Sequence, residues 1–467
     1  MVTTLHCNRA HTIKIEFGDE PVSSFGGLVL AERMAERLGL WRMIERRFPE
    51  RGGYDWLTCV KSLVMGLLSG AQGTFATQGL RRDAALLKLL SLEGAPEEAT
   101  VWRALDRLGD LQNDPEMLPR VQSIAARRTL EKMSRSELRI EGFVPVFADG
   151  TLLEGSRRRE GTKTLGDKGT GLLWSMVFVG PVPAAQRLAG EAEGEQAGVR
   201  AMLGPVRDRV LAPLRLTRSA LVLLDSLHGD EPTLAAIEAM RLHYVVGANK
   251  LKSTDRTLAE LSEAAWESTG ADAARGWSES AVCAGWLQCE SWPAKRLLVG
   301  RRWKHEGEMI WNFSGVVTSL RERDVRAMLD RGLSLARAVW RLYDAKAGME
   351  TLYSNALSDL GLHHPPCREH RRNSGFYAVG ALALTLATAV DVIGGASDER
   401  GCRARRDGQP RRRPTPMRMR LWRLRRELFA LPARIVRHAR EMNVRLLGLS
   451  EASRRVFEHY WDRILRC

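Results

Sequence analysis

The sequence predicts a multidomain α/β protein in which a mixed-sheet core is interrupted by a β-rich insertion and flanked by helical N-terminal and C-terminal regions. Three observations carry this. Apolar residues recur three and four apart from about Gly26 to Leu108, which is the helical period. From Glu141 to about Lys250, short apolar runs rich in Val, Phe and Leu alternate with helical stretches. Between about Ala264 and Ser319 the pattern shifts to short alternating runs that hold Trp266, Trp277, Trp286, Trp292, Trp303 and Trp311.

Residues 1–138 read as a helical DNA-binding region, built from GLVLAERMAERLGLWRMIERRF, LTCVKSLVMGLLSGAQGTF and LRRDAALLKLLSL. Its last piece, APEEATVWRALDRLG, offers Thr100 as a helix cap and sets Arg103 and Arg107 on one exposed face, as a DNA-reading helix would. A plain bundle helix fits the same residues.

Residues 139–263 read as the first part of the core. GFVPVFADGT is an apolar run that ends in Asp-Gly-Thr, and LLWSMVFVGPVP is a second strand closed by Gly and Pro. A helix from about Glu195 to Leu211 leads to the buried strand SALVLLD, then to the helix EPTLAAIEAMRL and the strand HYVVGANK.

The runs SAVCAGWLQCESW, RLLVGRR and MIWNFSGVVTS mark antiparallel strands in an insertion over 264–322. Residues 323–395 return to the core: one long helix is expected over RAVWRLYDAKAGMETLYSNALSDL, and GFYAVGALALTLATAV is apolar nearly all round, hence buried. Residues 396–467 begin as a basic arm, with twelve Arg and three Pro in ERGCRARRDGQPRRRPTPMRMRLWRLRR, and continue as the helix RELFALPARIVRHAREMNVRLLGL.

The formal net charge is +15 and most of the basic residues are Arg, whose planar fork suits phosphate recognition, so nucleic acid is the first partner to consider. Arg411, Arg412 and Arg413 in the arm are candidate phosphate contacts, and binding through them would depend steeply on salt. The N-terminus has no apolar stretch of signal-peptide length, and Tyr377–Val390 falls short of the roughly 20 residues a bilayer requires, so no membrane partner is expected. The seven cysteines are scattered without a CxxC pair, which suits reduced thiols. His363, His364, Cys367 and His370 match a zinc spacing only loosely and read as a loop that happens to hold them.

Asp149 closes FVPVFAD and Asp225 closes ALVLLD, and strand ends are where α/β folds present reactive groups. An acid at the rim of an apolar core is costly unless a partner or metal compensates it. A third acid, Glu350, shares a helical face with Tyr343 and Lys346 at i, i+3 and i+7. Three carboxylates from separated elements can hold two hard divalent cations about 4 Å apart, the arrangement for phosphodiester transfer. Asp230 and Asp167 are competing acids, but neither ends a strand.

The stretch YDAKAGME resembles the third motif of the DDE transposases of bacterial insertion sequences, in the branch whose signature reads Tyr-x2-Arg-x3-Glu-x6-Lys. Tyr343, Lys346 in place of the Arg, and Glu350 carry the match, with Asp149 in FADGT and Asp225 in LLDSLHGD as the first two acids. SSFGGLVLAERMAERLGL, ATVWRAL and LRRELFALPARIVRHAR are similar to that group's end regions, so the resemblance spans nearly the whole chain. One departure stands out: the signature's Lys falls on Leu357.

The resemblance implies a ribonuclease-H-like core with a β insertion between the second Asp and the Glu. It implies Asp149, Asp225 and Glu350 as catalytic and metal-binding residues for Mg²⁺ or Mn²⁺, with Tyr343 and Lys346 contacting DNA near the scissile phosphate. The expected partners are double-stranded DNA at element ends and target, with a homodimer in the DNA complex, in the bacterial cytoplasm at the nucleoid. A tryptophan of the insertion could stack on an extruded base, although core packing accounts for most of the six. Two other functions fit the residues: a transposase-derived DNA-binding protein that no longer cuts, for which Leu357 argues, and a metal-dependent nuclease without strand transfer.

Overall fold

The computed structural model describes residues 3–6, 12–15, 18, 20–48, 54–110, 117–164, 169–248, 252–395, 419–438 and 441–467. Arg411, Arg412, Arg413 and Asp167 lie outside the described residues.

The chain opens on a hairpin, β1 (Thr3–His6) and β2 (Thr12–Ile15), and a short strand, β3 (Val22–Ser23). Helices then follow as the periodicity predicts: α1 (Val29–Arg37), α2 (Leu40–Arg47), α3 (Trp56–Ser69), α4 (Ala76–Arg82), α5 (Ala84–Leu89), α6 (Glu98–Asp110), α7 (Leu118–Lys132) and α8 (Arg135–Leu138). Local chemistry sets their ends. The Asp55 side chain accepts from Thr58 N–H to start α3, and Gly70 in the left-handed conformation stops it. Thr100 is not the cap of α6, which already begins at Glu98; its hydroxyl instead accepts from Arg103 at 3.1 Å.

The core is one ten-stranded sheet. Its strands are β4 (Val144–Glu154), β5 (Lys163–Thr164), β6 (Thr170–Val179), β7 (Val182–Leu188), β8 (Ala220–Leu224), β9 (His243–Gly247), β10 (Glu267–Ser268), β11 (Glu279–Leu287), β12 (Arg296–Lys304) and β13 (Asn312–Thr318). They lie in the order β10-β11-β12-β13-β9-β8-β4-β6, with β5 and β7 sharing the far edge of β6. β4–β8 and β8–β9 are parallel and every other pair is antiparallel. Parallel pairing needs crossovers, and α9 (Glu195–Val206) and α10 (Glu231–Ala239) supply them before β8 and β9. The Trp-rich strands do not form a separate sheet: after α11 (Lys252–Ala259), β13 pairs edge-on with β9, so the insertion extends the core sheet.

Alternating side chains split the sheet between two apolar cores. Val144, Val146, Ala148, Val222 and Leu224 pack with α9 and α10. Phe147, Leu221 and Leu223 pack into the larger core shared with α1, α3, α6, α7 and α15 (His370–Ala389). Helix α15 and the turn after it, His370–Gly394, are long and apolar enough to cross a bilayer, and their apolar window is wholly buried inside the protein. Against α15, α6 docks with almost no gap: a Cβ at Gly375 would lie 2.4 Å from the Leu105 carbonyl oxygen.

Three further expectations need correction. Asp149 does not close its strand. β4 runs on to Glu154 because β6 keeps pairing with it there, overriding the turn tendency of Asp-Gly-Thr; only the parallel pairing with β8 stops, at Phe147. The long helix around Glu350 is broken: after the short α12 (Arg326–Leu329) come α13 (Leu335–Tyr343), a tight 3₁₀ stretch Asp344–Gly348, α14 (Met349–Ser354) and a π-helical turn Asn355–Asp359.

The C-terminal region is not purely helical. After the short α16 (Leu421–Leu424), β14 (Ala433–His438) and β15 (Glu441–Leu446) form a hairpin that pairs with β3, before α17 (Glu451–Arg466). Pro432 blocks helix continuation, and Ala433 and Ile435 alternate inward as a strand requires.

Candidate active site

Where β4 and β8 stop pairing, the sheet delivers two acids side by side. The last registered pair is Phe147 with Leu223, and Asp149 and Asp225 each stand two residues further on, on neighbouring strands roughly 5 Å apart. By alternation both leave the sheet on the side of Phe147 and Leu223, the side that carries α13, α14 and α15. Asp225 is fixed by its own turn, its Oδ1 accepting from Leu227 N–H at 3.0 Å. Asp149 is fixed from below: the Tyr353 hydroxyl donates to its carbonyl oxygen and accepts from Met176 N–H at 3.1 Å, standing between the two paired strands.

The broken helix brings the third acid to the same place. Asp149, Gly150, Thr151, Arg275, Tyr343, Asp344, Lys346, Ala347, Glu350 and Tyr353 line one cleft. The predicted residues Asp149, Tyr343, Lys346 and Glu350 are therefore gathered; Asp225 does not line the cleft, but its charge acts on both Asp149 and Tyr343. Lys346 Nζ lies 3.6 Å from Asp149 Oδ2.

Burial, with repulsion from Asp225 and Glu195, holds the Asp149 carboxyl above its ordinary range, although Lys346 pulls the other way. Burial and the Asp225 charge push the Tyr343 hydroxyl up to about 12, so at neutral pH it remains a protonated donor. This excess of sheltered negative charge suits a divalent cation.

Sequence reasoning missed three residues here. Glu195, the first residue of α9, is buried beside Asp149, and its Oε1 accepts from Gly150 N–H at 3.0 Å. That approach requires glycine, because a Cβ at position 150 would lie 2.7 Å from the Glu195 carboxyl carbon. His228, in the turn after Asp225, is fully buried, with Nε2 3.5 Å from Glu195 and 3.7 Å from Asp225. Among the described residues, Asp149, Glu195 and His228 form a group whose ligand atoms all lie within 4.8 Å of one another. Arg275, from the insertion, lines the cleft and donates to Asp344. A Glu opening a helix and an Arg in a polar loop carry no sequence signal; the His three residues after a strand-end acid is the one cue available.

Other candidates fall elsewhere. Arg103 and Arg107 are exposed on α6, beside the exposed Trp102, and do not line the cleft. Leu357 packs against the larger core, away from the cleft. Asp230 caps α10 and pairs with Arg200 at 2.9 Å, a structural role. The ring nitrogens of His363 and His370 each bond to a backbone carbonyl, and the backbone N–H and carbonyl of Cys367 are both held by the Asn373 side chain. Of the insertion's tryptophans, Trp266 and Trp292 are buried, Trp277 stacks on Trp303 with centroids 5.1 Å apart, and Trp286 is exposed.

The family model described as "Transposase DDE domain group 1" matches residues 176–467, and the chain belongs to that family. Asp225 and Glu350 fall within the matched span, and Asp149 precedes it. No curated protein matches the chain. Among solved structures it is similar to a piggyBac transposase in a synaptic complex with hairpin DNA, at 12% identity and a TM-score of 0.38, over 78% of this chain and 74% of that one. A likeness so distant carries no argument about mechanism.

Proposed function

We propose that this chain is a DNA transposase of the bacterial insertion-sequence branch, which binds terminal inverted repeats, cleaves at the element ends and transfers the resulting 3′-hydroxyl to target DNA. The observation that carries the proposal is the equal register of Asp149 and Asp225, two residues past Phe147 and Leu223, with Glu350 lining the same cleft. The family membership supports it. The strand order β7-β6-β4-β8-β9, antiparallel then parallel, supports a ribonuclease-H-like core.

In this reading Asp149, Asp225 and Glu350 hold two divalent cations, Mg²⁺ or Mn²⁺. Bound there, the cations supply an activated attacking oxygen and charge neutralisation at the leaving one. The chain's own residues do the positioning. Tyr343, kept protonated, would donate to a phosphate oxygen; Lys346 offsets the Asp149 charge; Arg275 adds a second positive side chain at the cleft wall, in place of the signature Lys that Leu357 replaces. Arg103 and Arg107 on α6 and the arm at Arg411, Arg412 and Arg413 contact DNA outside the cleft. Cutting both ends requires two active sites, hence a homodimer in the DNA complex, acting at the nucleoid.

The test is cleavage of a supercoiled plasmid carrying the element's flanking DNA, with Mg²⁺ or Mn²⁺, comparing wild type with Glu350→Gln. Metal-dependent cuts at the ends that vanish in the variant are expected. Tight end binding without cutting by either protein would favour the inactive DNA-binding descendant, the reading for which Leu357 argues.

A further inference from the structure

Resting on the metal-dependent reading above, we infer that Glu195 is a fourth carboxylate of the metal centre, and that Asp149, Glu195 and His228 together ligate one of its cations. The chain brings Glu195 there by construction: it begins α9 directly after Gly194, is 7% exposed, and approaches β4 through the one residue, Gly150, that leaves room for it. A carboxylate buried next to two others is costly, and a shared cation offsets that cost.

The independent sign of a ligand is His228. Its side chain is 0% exposed, and neither ring nitrogen makes a hydrogen bond among the described residues. A buried imidazole with both nitrogens unsatisfied is rare. Nε2 points between Glu195 Oε1 at 3.5 Å and Asp225 Oδ1 at 3.7 Å, too long for hydrogen bonds but close enough to share an ion. The ligand atoms of Asp149, Glu195 and His228 lie within 4.8 Å of one another. Ligands of a single octahedral ion lie at most about 4.2 Å apart, twice a bond of about 2.1 Å, so closure of well under an ångström suffices. A nitrogen in the set shifts preference from Mg²⁺, which favours all-oxygen shells, toward Mn²⁺.

The experiment is Mn²⁺ and Mg²⁺ binding to the full-length protein without DNA, followed by calorimetry and by the Mn²⁺ electron paramagnetic resonance signal. Wild type is compared with Glu195→Gln, His228→Leu and Glu350→Gln. Glu195→Gln removes the charge but keeps an oxygen for Gly150 N–H, so circular dichroism should match wild type and the melt in EDTA should be no lower, while Mn²⁺ affinity falls at least tenfold. His228→Leu should lose Mn²⁺ affinity more than Mg²⁺ affinity. If wild type binds Mn²⁺, Glu350→Gln weakens it and Glu195→Gln does not, the role of Glu195 is overturned and the metal-dependent reading stands. If wild type binds no Mn²⁺, both fall. Should Glu195→Gln fail to fold, Glu195→Asp is read instead: it keeps the charge but withdraws it by one methylene, and unchanged Mn²⁺ affinity overturns the inference.

Discussion

Arg275 Nη2 donates to Asp344 Oδ2 at 2.6 Å, tying a loop of the β insertion to the stretch that carries Lys346 and leads into Glu350 on α14. Arg301, from β12, donates to the same carboxylate at 3.2 Å, and its guanidinium lies over the rings of Trp277 and Trp340. Asp344 is thus held by two arginines of the insertion. Removing the Arg275 side chain frees that stretch and takes a cation from the cleft. Arg275→Ala is expected to lower the strand-cleavage rate by about 10- to 100-fold, since loss of positioning far from the bond being broken has costs of that size. Arg275→Lys should restore part of it. Single-turnover rates on pre-bound ends, with binding measured separately, check this; equal rates for Arg275→Ala and wild type would remove Arg275 from the site.

Asp149 is held above its usual carboxyl range by burial and by Asp225 and Glu195, so its charge works against the metal-free fold. For an acid whose folded value is raised, the destabilisation is present at neutral pH, shrinks as pH falls through the raised value, and is gone below the unfolded value of about 3.9. Asp149→Asn should therefore raise the melting temperature in EDTA at pH 7 by about 1–3 °C while abolishing cleavage. Thermal melts from pH 7 to pH 4 should show variant and wild type converging. A lower melting temperature for the variant at pH 7 would mean that the Lys346 contact outweighs the repulsion.

The docking of α6 on α15 depends on the missing side chain at Gly375. Gly375→Ala forces the helices apart and should cost about 1–3 kcal/mol in urea unfolding, the range for overpacked cores. Gly79→Ala, in α4 with nothing within 4 Å of the new Cβ, should be neutral or stabilising by about 0.4–1 kcal/mol. Similar losses at the two positions would rule out steric docking as the cause.

If α6 presents its exposed face to DNA, Arg103→Ala and Arg107→Ala should each weaken binding to the element ends and reduce the slope of log affinity against log salt by about 1. Filter binding between 50 and 200 mM salt measures this. A slope unchanged in the double variant would place the DNA contacts elsewhere, such as the basic arm.

Much of this is legible in the residues. ALVLL is apolar throughout because β8 is paired on both edges and covered on both faces, and the acid directly after it marks the end of that shelter. The insertion's strands show in their alternation. Asp149 is harder to place, since Asp-Gly-Thr reads as a turn until β6 is known to run alongside. Ala433–Leu446 carries four Arg and two Ala, which favour helix in isolation, and the pairing of β14 with β15 and β3 makes it a hairpin instead. Glu195 could not be found this way: an acidic residue opening a helix is commonplace, and what distinguishes this one is the strand that arrives next to it.

The close seating of α6 against α15 would also make the molecule a ruler if α6 reads DNA. Arg103 and Arg107 sit on a helix locked, backbone to backbone, to the core that carries the acids, so no tether would lie between a recognising face on α6 and the acidic cleft. The number of base pairs from a recognised end to the broken phosphate then becomes a length built into the protein. Ends with one base pair added or removed between those points should be bound as before and cut at a shifted position.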